Sequence, residues 1–305
     1  MNNHDLNVFA TAARIGNITK AAKLLAMVQS NVTTRIRLLE DELGVPLFHR
    51  HHLGITLTPK GQELLPYAEE MIALAQRARE AVSHQKQVEG SLRIGSLQTT
   101  ASVRLPGILK EYIAKYQRVD IAIETGTAAE MTDRVLDHRV DGAFVAGPIL
   151  HPELDAWPAF VEEMVLVTPV EYRSVEEYLE HGPVPKILVF KIGCYYRKAL
   201  EKYLSKAGVD LLNEMEFGTL DGILGCVSAG LGITMLPKSV VERSALRRKV
   251  TAHALPNEVS QVDVRFITYK SRVRSTALER FMDVITKVRK GASDHKKRAR
   301  PKPRS

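Results

Sequence analysis

Residues 17–40 read NITKAAKLLAMVQSNVTTRIRLLE, two short amphipathic segments with a break between them. Asn17 has a side chain able to cap a helix N-terminus. The residues after it, Ile18 to Leu25, place the small Ala21 and Ala22 where a second helix can approach closely. After Ala26, Met27 and Val28 the pattern restarts as QSNVTTRIRLLEDEL. There Val32, Ile36, Leu39 and Leu43 recur at spacings of 4, 3 and 4, which is one helical face. The opposite face carries Ser30, Thr34 and Arg37, flanked by Gln29, Asn31 and Thr33. Small polar and amide side chains around one long cation suit a helix that enters the DNA major groove. A surface helix turned to water is the other reading, and this segment alone leaves both open.

The next stretch, GVPLFHRHHLGITLTPKG (Gly44 to Gly61), reads as a turn followed by a two-stranded wing. Leu47 and Phe48 anchor it, Gly54 permits a tight reversal, and Ile55 and Leu57 then alternate with Thr56 and Thr58. His49, Arg50, His51 and His52 at its tip suit contact with phosphates beside the groove. A helix pair followed by a basic wing is a winged helix-turn-helix.

The segment from Phe9 to Ala68 resembles the N-terminal domain of LysR-type transcriptional regulators. The resemblance rests on Gly16-Asn17-Ile18-Thr19-Lys20-Ala21-Ala22, Val28-Gln29-Ser30-Asn31-Val32-Thr33, Leu39-Glu40 through Leu43-Gly44, Leu47-Phe48-His49-Arg50, and Leu57-Thr58 with Gly61. By position it implies that Thr19, Gln29, Ser30, Thr33 and Arg50 contact DNA. With the polar neighbours Asn17, Lys20, Asn31, Thr34, Arg37, His51 and His52 they form the candidate DNA-binding set, the helix-turn-helix spanning 17–36. Two positions depart from the family pattern. Val28 stands where the family has a capping Ser, and Leu53 replaces the second basic residue of the wing, a contact that passes to His51 and His52.

Length and composition fit a two-domain protein. The chain has 305 residues, long for one domain, and 45% of them are hydrophobic, enough for proper cores. It has neither a run of about 18 apolar residues nor a basic-then-hydrophobic N-terminus, so it reads as soluble, cytoplasmic and without a membrane partner. The net charge of +8 has a local origin. From Lys287 to Ser305 nine basic residues face one acidic residue, Asp294, which leaves residues 1–286 neutral. Residues 291–305, GASDHKKRARPKPRS, read as a basic disordered tail, either a salt-sensitive aid to DNA binding or a solubilising appendage.

A long helix is expected over 60–87, capped by Thr58 and opened by Pro59, with Pro66 as a kink point. Leu64, Ala68, Met71, Ala75, Ala78 and Val82 step by 4, 3, 4, 3 and 4, a heptad seam. Either the seam packs on its own domain or, as the resemblance implies, it is the dimerisation surface. From about Val88 short strands alternate with helices, which implies parallel-rich sheets covered on both faces. The strands are LRIGS, VDIAIETG, GAFVAG, MVLVTP, KILVFKIG, GITMLP and VDVRFITY.

The expected class is thus α plus α/β. A winged helix-turn-helix (1–59) precedes a linker and dimerisation helix (60–87) and an α/β effector-binding domain (88–290). That domain resembles periplasmic binding proteins, with subdomain I at about 91–167 and 271–290, and subdomain II at about 168–270. In open α/β sheets ligands gather beyond the C-terminal strand ends, where helix N-termini offer N–H groups. Ser96, Thr99, Thr100, Thr127, Cys194, Tyr195 and Thr219 are the candidate effector-binding residues, and each is equally readable as a helix cap. The helix N-termini and nearby Arg197 favour a small carboxylate.

Other chemistries find little support. Cys194, at a helix N-terminus beside Arg197, is expected to have a lowered thiol pKa and is open to a redox reading beside that of a plain pocket wall. The wing histidines lack a Cys or carboxylate to complete a metal site, and no cofactor is expected. GCVSAG (Gly225 to Gly230) misses the nucleophile-elbow spacing by one residue, and no phosphate-binding or zinc-protease motif occurs. The resemblance implies a regulator rather than an enzyme: a homodimer or dimer of dimers on promoter DNA, with RNA polymerase as a further partner. Its grip on DNA and the DNA bend would respond to a small-molecule effector. The alternative is an α/β solute-binding protein or enzyme with an accessory helix-turn-helix.

Overall fold

The computed structural model describes residues 1–51, 54–82, 88–182, 186–209, 213–270 and 274–298. Two compact units are present, the first built on Met1–Lys86 and the second on most of the chain from Gln87 onward.

In the first unit α1 (Asn3–Ile15), α2 (Ile18–Leu24) and α3 (Gln29–Leu43) are followed by β1 (Phe48–His51), β2 (Gly54–Leu57) and α4 (Pro59–Val82). Side-chain caps set the starts. The Asn17 carboxamide oxygen accepts from Lys20 N–H at 3.0 Å, whereas Val28 opens α3 with no side-chain bond. Between them Ala26 takes a left-handed conformation (φ 53°), and Met27 N–H returns to the Ala22 carbonyl at 2.9 Å. The core joins Leu6, Phe9 and Ala12 to Ala21, Val32, Ile36 and Leu39, and it is closed by Leu47, Phe48 and Ile55 from the wing. Thr58 Oγ1 accepts from Gly61 N–H at 3.0 Å and donates to the Pro46 carbonyl at 2.8 Å, which fixes both the wing and the start of α4.

The outward stripe of α4 differs from the expected seam. Ala68 is buried and Leu64 packs on the same core, so these two face their own unit. Tyr67, Met71 and Leu74 are 66%, 43% and 55% exposed, and Ala78 is also exposed. Residues 67, 71, 74 and 78 therefore form the open heptad stripe. Packing against α1 consumes the face on which Leu64 and Ala68 lie. Ala75 is half-buried, and the Val82 side chain lies outside the described residues.

The second unit begins with β3 (Glu89–Ser96), α5 (Gln98–Val103), α6 (Leu105–Ile113), β4 (Arg118–Thr125), α7 (Ala128–Leu136), β5 (Gly142–Ala146) and β6 (Leu154–Pro169). There follow α8 (Val175–His181), β7 (Lys186–Phe190), α9 (Tyr195–Lys206), β8 (Asn213–Phe217), α10 (Leu220–Ser228) and β9 (Thr234–Pro237). The last elements are α11 (Lys238–Arg243), β10 (Val250–Ala254), α12 (Asn257–Ser260), β11 (Gln261–Tyr269) and α13 (Thr276–Arg298).

The main sheet runs β10-β6-β11-β5-β3-β4, with β9 also paired to β6, and β7 pairs β8 in parallel. Only the β4-β3-β5 part of the main sheet is parallel; β11, β9 and β10 run antiparallel to their neighbours. The sheet is therefore mixed rather than parallel-rich. β6 is one continuous strand, longer than its MVLVTP segment. Its first half pairs β11 and its second half pairs β9 and β10, so it passes through both lobes. The chain returns at Gln261, which lies opposite Glu163.

This moves the expected lobe boundaries. Residues 261–269 belong to the sheet of the first lobe, not to subdomain II, and the second lobe begins near Met164. Phe144, Phe266 and Phe281 pack at the centre of the first lobe, where Tyr112 donates its hydroxyl to the Ala277 carbonyl at 2.9 Å. Val165, Leu188, Ile223, Leu224 and Leu236 form the core of the second. At the C-terminal end α13 continues to Arg298, past the expected onset of the tail at 291. Ala292 and the Lys and Arg residues there are good helix formers, and no proline interrupts residues 276–300. Residues 299–305 lie outside those described.

Candidate functional site

The first unit gathers its polar face on α2, α3 and the wing. Lys20, Gln29, Ser30, Asn31, Thr34 and Arg37 are exposed, Asn17 and Thr33 partly so. Thr19 Oγ1 donates to Gln29 Oε1 at 3.1 Å, joining the two helices across their outer surface. The Thr34 hydroxyl turns back to the Ser30 carbonyl at 2.9 Å. Arg50 and His51 project from β1, with Arg50 Nη2 at 3.9 Å from Glu40 Oε2, while His52 lies outside the described residues.

Two residues that hold this face together were not among the candidates. Glu40 Oε1 accepts from Leu47 N–H at 2.8 Å and Phe48 N–H at 3.2 Å, which ties the end of α3 to the wing. Arg35 pairs with the buried Asp5 at 3.0 Å, which ties α3 to α1. Gly54 is required by its surroundings as well as its conformation. Ile55 N–H bonds the Gly16 carbonyl at 3.0 Å, and a Cβ on Gly54 would stand 2.3 Å from that oxygen.

In the second unit the lobes enclose a cavity of about 190 Å³. Of the candidate effector-binding residues, Thr99, Thr127 and Cys194 line it. Ser96, Thr100, Tyr195 and Thr219 do not. Ser96 is buried and donates to the Leu97 carbonyl at 3.1 Å; Thr100 is buried outside the lining. Thr219 caps α10, accepting from Gly222 N–H at 3.2 Å. Tyr195 is not in the lining, and its ring lies against Gly147 instead.

The lining also includes Gln98, Glu130, Arg134, Phe190, Lys191 and Phe217. Glu130 was detectable from sequence, because Thr127-x-x-Glu130 is a capping box. Thr127 N–H donates to Glu130 Oε2 at 2.8 Å, and Glu130 N–H to Thr127 Oγ1 at 3.2 Å. Contacts bridge the lobes across the cavity: Gln98 Nε2 donates to the Gly218 carbonyl, and Thr99 Oγ1 lies 3.4 Å from the Tyr196 hydroxyl.

The charges differ from expectation. Arg197 is absent from the lining and pairs instead with Glu201, Glu214 and Glu216. Arg134 lines the cavity but pairs with Glu124, while Lys191 is exposed at the edge and makes no ion pair among the described residues. The Cys194 thiol is pushed up, not down. Burial dominates, although the amides of Tyr196 and Arg197 and the charge of Arg197 oppose it. Burial also raises the Tyr196 phenol, which stays protonated. Behind the cavity Arg104 binds the buried Glu162, which also accepts from Ser239 Oγ at 3.2 Å.

A winged helix-turn-helix followed by a two-lobed α/β domain around a small cavity defines a ligand-binding transcriptional regulator. Residues 3–62 match the bacterial regulatory helix-turn-helix protein model of the lysR family, and residues 85–290 match the LysR substrate binding domain. The chain is 44% identical to the HTH-type transcriptional regulator YusT of Bacillus subtilis, over 96% of this chain and 98% of that protein. To GltR of the same organism it is 41% identical, over 92% and 95%. Among solved structures, a full-length OxyR variant of Pseudomonas aeruginosa superposes with a TM-score of 0.72 at 21% identity, over 93% of this chain and 94% of that one. Full-length CbnR in complex with its target DNA gives 0.65 at 20% identity, over 94% and 99%. The chain belongs to the LysR family of DNA-binding transcriptional regulators.

Proposed function

We propose that this regulator holds promoter DNA as a dimer and that a small anionic effector in the interlobe cavity alters its grip and the DNA bend. The single observation that carries the effector half is the cavity itself, lined from both lobes and bridged by Gln98 to Gly218. A ligand seated there touches both lobes and so biases their closure. Lys191 at the edge supplies a cation with no ion pair among the described residues, and Phe190, Phe217 and Tyr196 supply apolar walls, which favours a small amphipathic carboxylate.

Gln29, Ser30, Asn31, Thr33 and Arg37 are assigned to the major groove, with Arg50 and His51 on the flanking phosphates. CbnR, a structural neighbour, is seen on its target DNA, which supports this placement. Tyr67, Met71, Leu74 and Ala78 are assigned to the dimer contact. RNA polymerase is the onward partner of such a regulator, which works in the compartment that holds DNA.

Footprinting tests the DNA assignment. Arg50→Ala should weaken protection on most sequences alike, while Gln29→Ala and Thr33→Ala relax preference between sites. Unchanged protection in all three variants sinks the assignment. For the cavity, a panel of small carboxylates should raise the melting temperature of the wild type and not that of Lys191→Ala.

A further inference from the structure

Several side chains of α2 and α3 already have part of their hydrogen-bonding capacity committed inside the protein. The Asn17 oxygen caps α2, and the Thr34 hydroxyl donates to its own helix, both local arrangements. The bond from Thr19 Oγ1 to Gln29 Oε1 is different, because it joins two helices through side chains ten residues apart at the surface assigned to the groove. A glutamine amide is nearly symmetric in shape but not in chemistry, with an acceptor at one end and two donors at the other. Its terminal torsion is broad and roughly two-fold, so a free Gln29 presents either end with similar ease.

We infer that Thr19 is a positioning residue for base reading. Its hydroxyl holds the Gln29 oxygen toward α2, turns the Nε2 hydrogens outward, and makes Gln29 a reader of base acceptors. This rests on the proposed placement of α3 in the major groove. Glutamine's usual two-bond pairing with adenine needs Oε1 to accept from the adenine amino group while Nε2 donates to N7. With Oε1 held by Thr19, the outward donor suits guanine O6 and N7 or thymine O4. One base pair in each half-site is therefore chosen by a pair of residues, one on each helix.

The test uses the full-length protein and a pool of duplexes with a randomised central stretch, sequenced after selection. Wild type, Thr19→Val, Thr19→Ser, Gln29→Ala and the Thr19→Val/Gln29→Ala double variant are compared, with melting temperatures to confirm folding. Wild type should enrich a motif with guanine or thymine beneath Gln29. Gln29→Ala should lose about tenfold discrimination at that position, as expected for one good base contact. Thr19→Val should lose it at the same position, the double variant should lose no more than Gln29→Ala alone, and Thr19→Ser should restore it. The inference is overturned if Thr19→Val weakens all sequences equally and adds to Gln29→Ala, which would make Thr19 an independent phosphate contact. It is also overturned if the selected base is adenine and Thr19→Val leaves that preference intact. A wild type that enriches no motif would instead overturn the DNA-reading assignment itself.

Discussion

Arg104 lays its guanidinium on Glu162 in two parallel hydrogen bonds, Nε to Oε1 at 2.8 Å and Nη2 to Oε2 at 3.0 Å. Glu162 sits on β6 just before that strand enters the second lobe, and Ser239 on α11 of that lobe bonds the same carboxylate. One buried anion thus holds both lobes at their base, and Arg243 reinforces the link by donating to the Val103 carbonyl at 3.1 Å. Removing one partner of a buried pair costs ~3–5 kcal/mol; Arg104 is partly exposed, so we predict about 2 kcal/mol for Arg104→Ala. Urea denaturation followed by circular dichroism measures it. Arg104→Lys, which cannot make the paired bonds, should recover only part of the loss.

The open stripe of α4 gives a second prediction. Leu74→Glu and Tyr67→Glu should convert a dimer to a folded monomer in sedimentation velocity, because both residues are exposed in the single chain. Ala68→Glu should instead lower the melting temperature, since its position is in the core of the first unit.

His253 predicts a pH dependence. Its Nε2 lies 2.8 Å from Thr168 Oγ1, whose own hydrogen goes to the Pro169 carbonyl, so His253 is the donor. Burial lowers its pKa below the ordinary 6.5, with Glu176 and Glu177 opposing. In this window the unfolded chain binds a proton at His253 more readily than the folded one. The stabilising contribution is therefore complete above pH 6.5 and is lost as pH falls toward the lower folded value. His253→Gln should flatten the fall in melting temperature between pH 7 and pH 5 relative to wild type.

The two cysteines differ in burial. Cys194 is buried with a raised thiol pKa, and Cys226 is partly exposed. A chromogenic disulfide reagent should modify Cys226 first and Cys194 slowly. A fast reaction retained in Cys226→Ser would contradict this.

Ala26 holds φ at 53° in the turn between α2 and α3, which costs an L-residue ~1–2 kcal/mol. Ala26→Gly relieves that strain and returns ~0.4–1 kcal/mol of freedom to the unfolded chain. The net expectation is a gain of about 0.5–1 kcal/mol, read as a higher melting temperature of the first unit.

The helix-turn-helix was legible because its spacing rules are local. Asn17 caps α2, and α3 spans the same Gln29–Leu43 that the apolar periodicity marks. The turn was less legible, since Ala26 carries no signal for a left-handed residue where glycine is usual. The α4 register failed for a tertiary reason: Leu64 and Ala68 look like seam residues until α1 covers them. β11 reads as a strand, VDVRFITY, but nothing local says that it pairs with β6 and β5 in the first lobe. In the cavity, strand-to-helix junctions pointed to Thr99, Thr127 and Cys194. Phe190 and Phe217 were missed because an aromatic at a strand end reads as core. Arg197 misled because its carboxylate partners on β8, Glu214 and Glu216, come from a strand that its sequence hardly announces.

The adjacent entry and exit of the second lobe have a consequence for how the protein can be taken apart. Glu163 and Gln261 face each other across one antiparallel rung, so the ends of everything between them lie about 5 Å apart. In topological terms the whole second lobe is a cassette inserted into a hairpin. A tight turn joining those two positions should leave the β6–β11 pairing of the first lobe intact. The excised piece, its ends already side by side, is a natural candidate for transplantation between relatives.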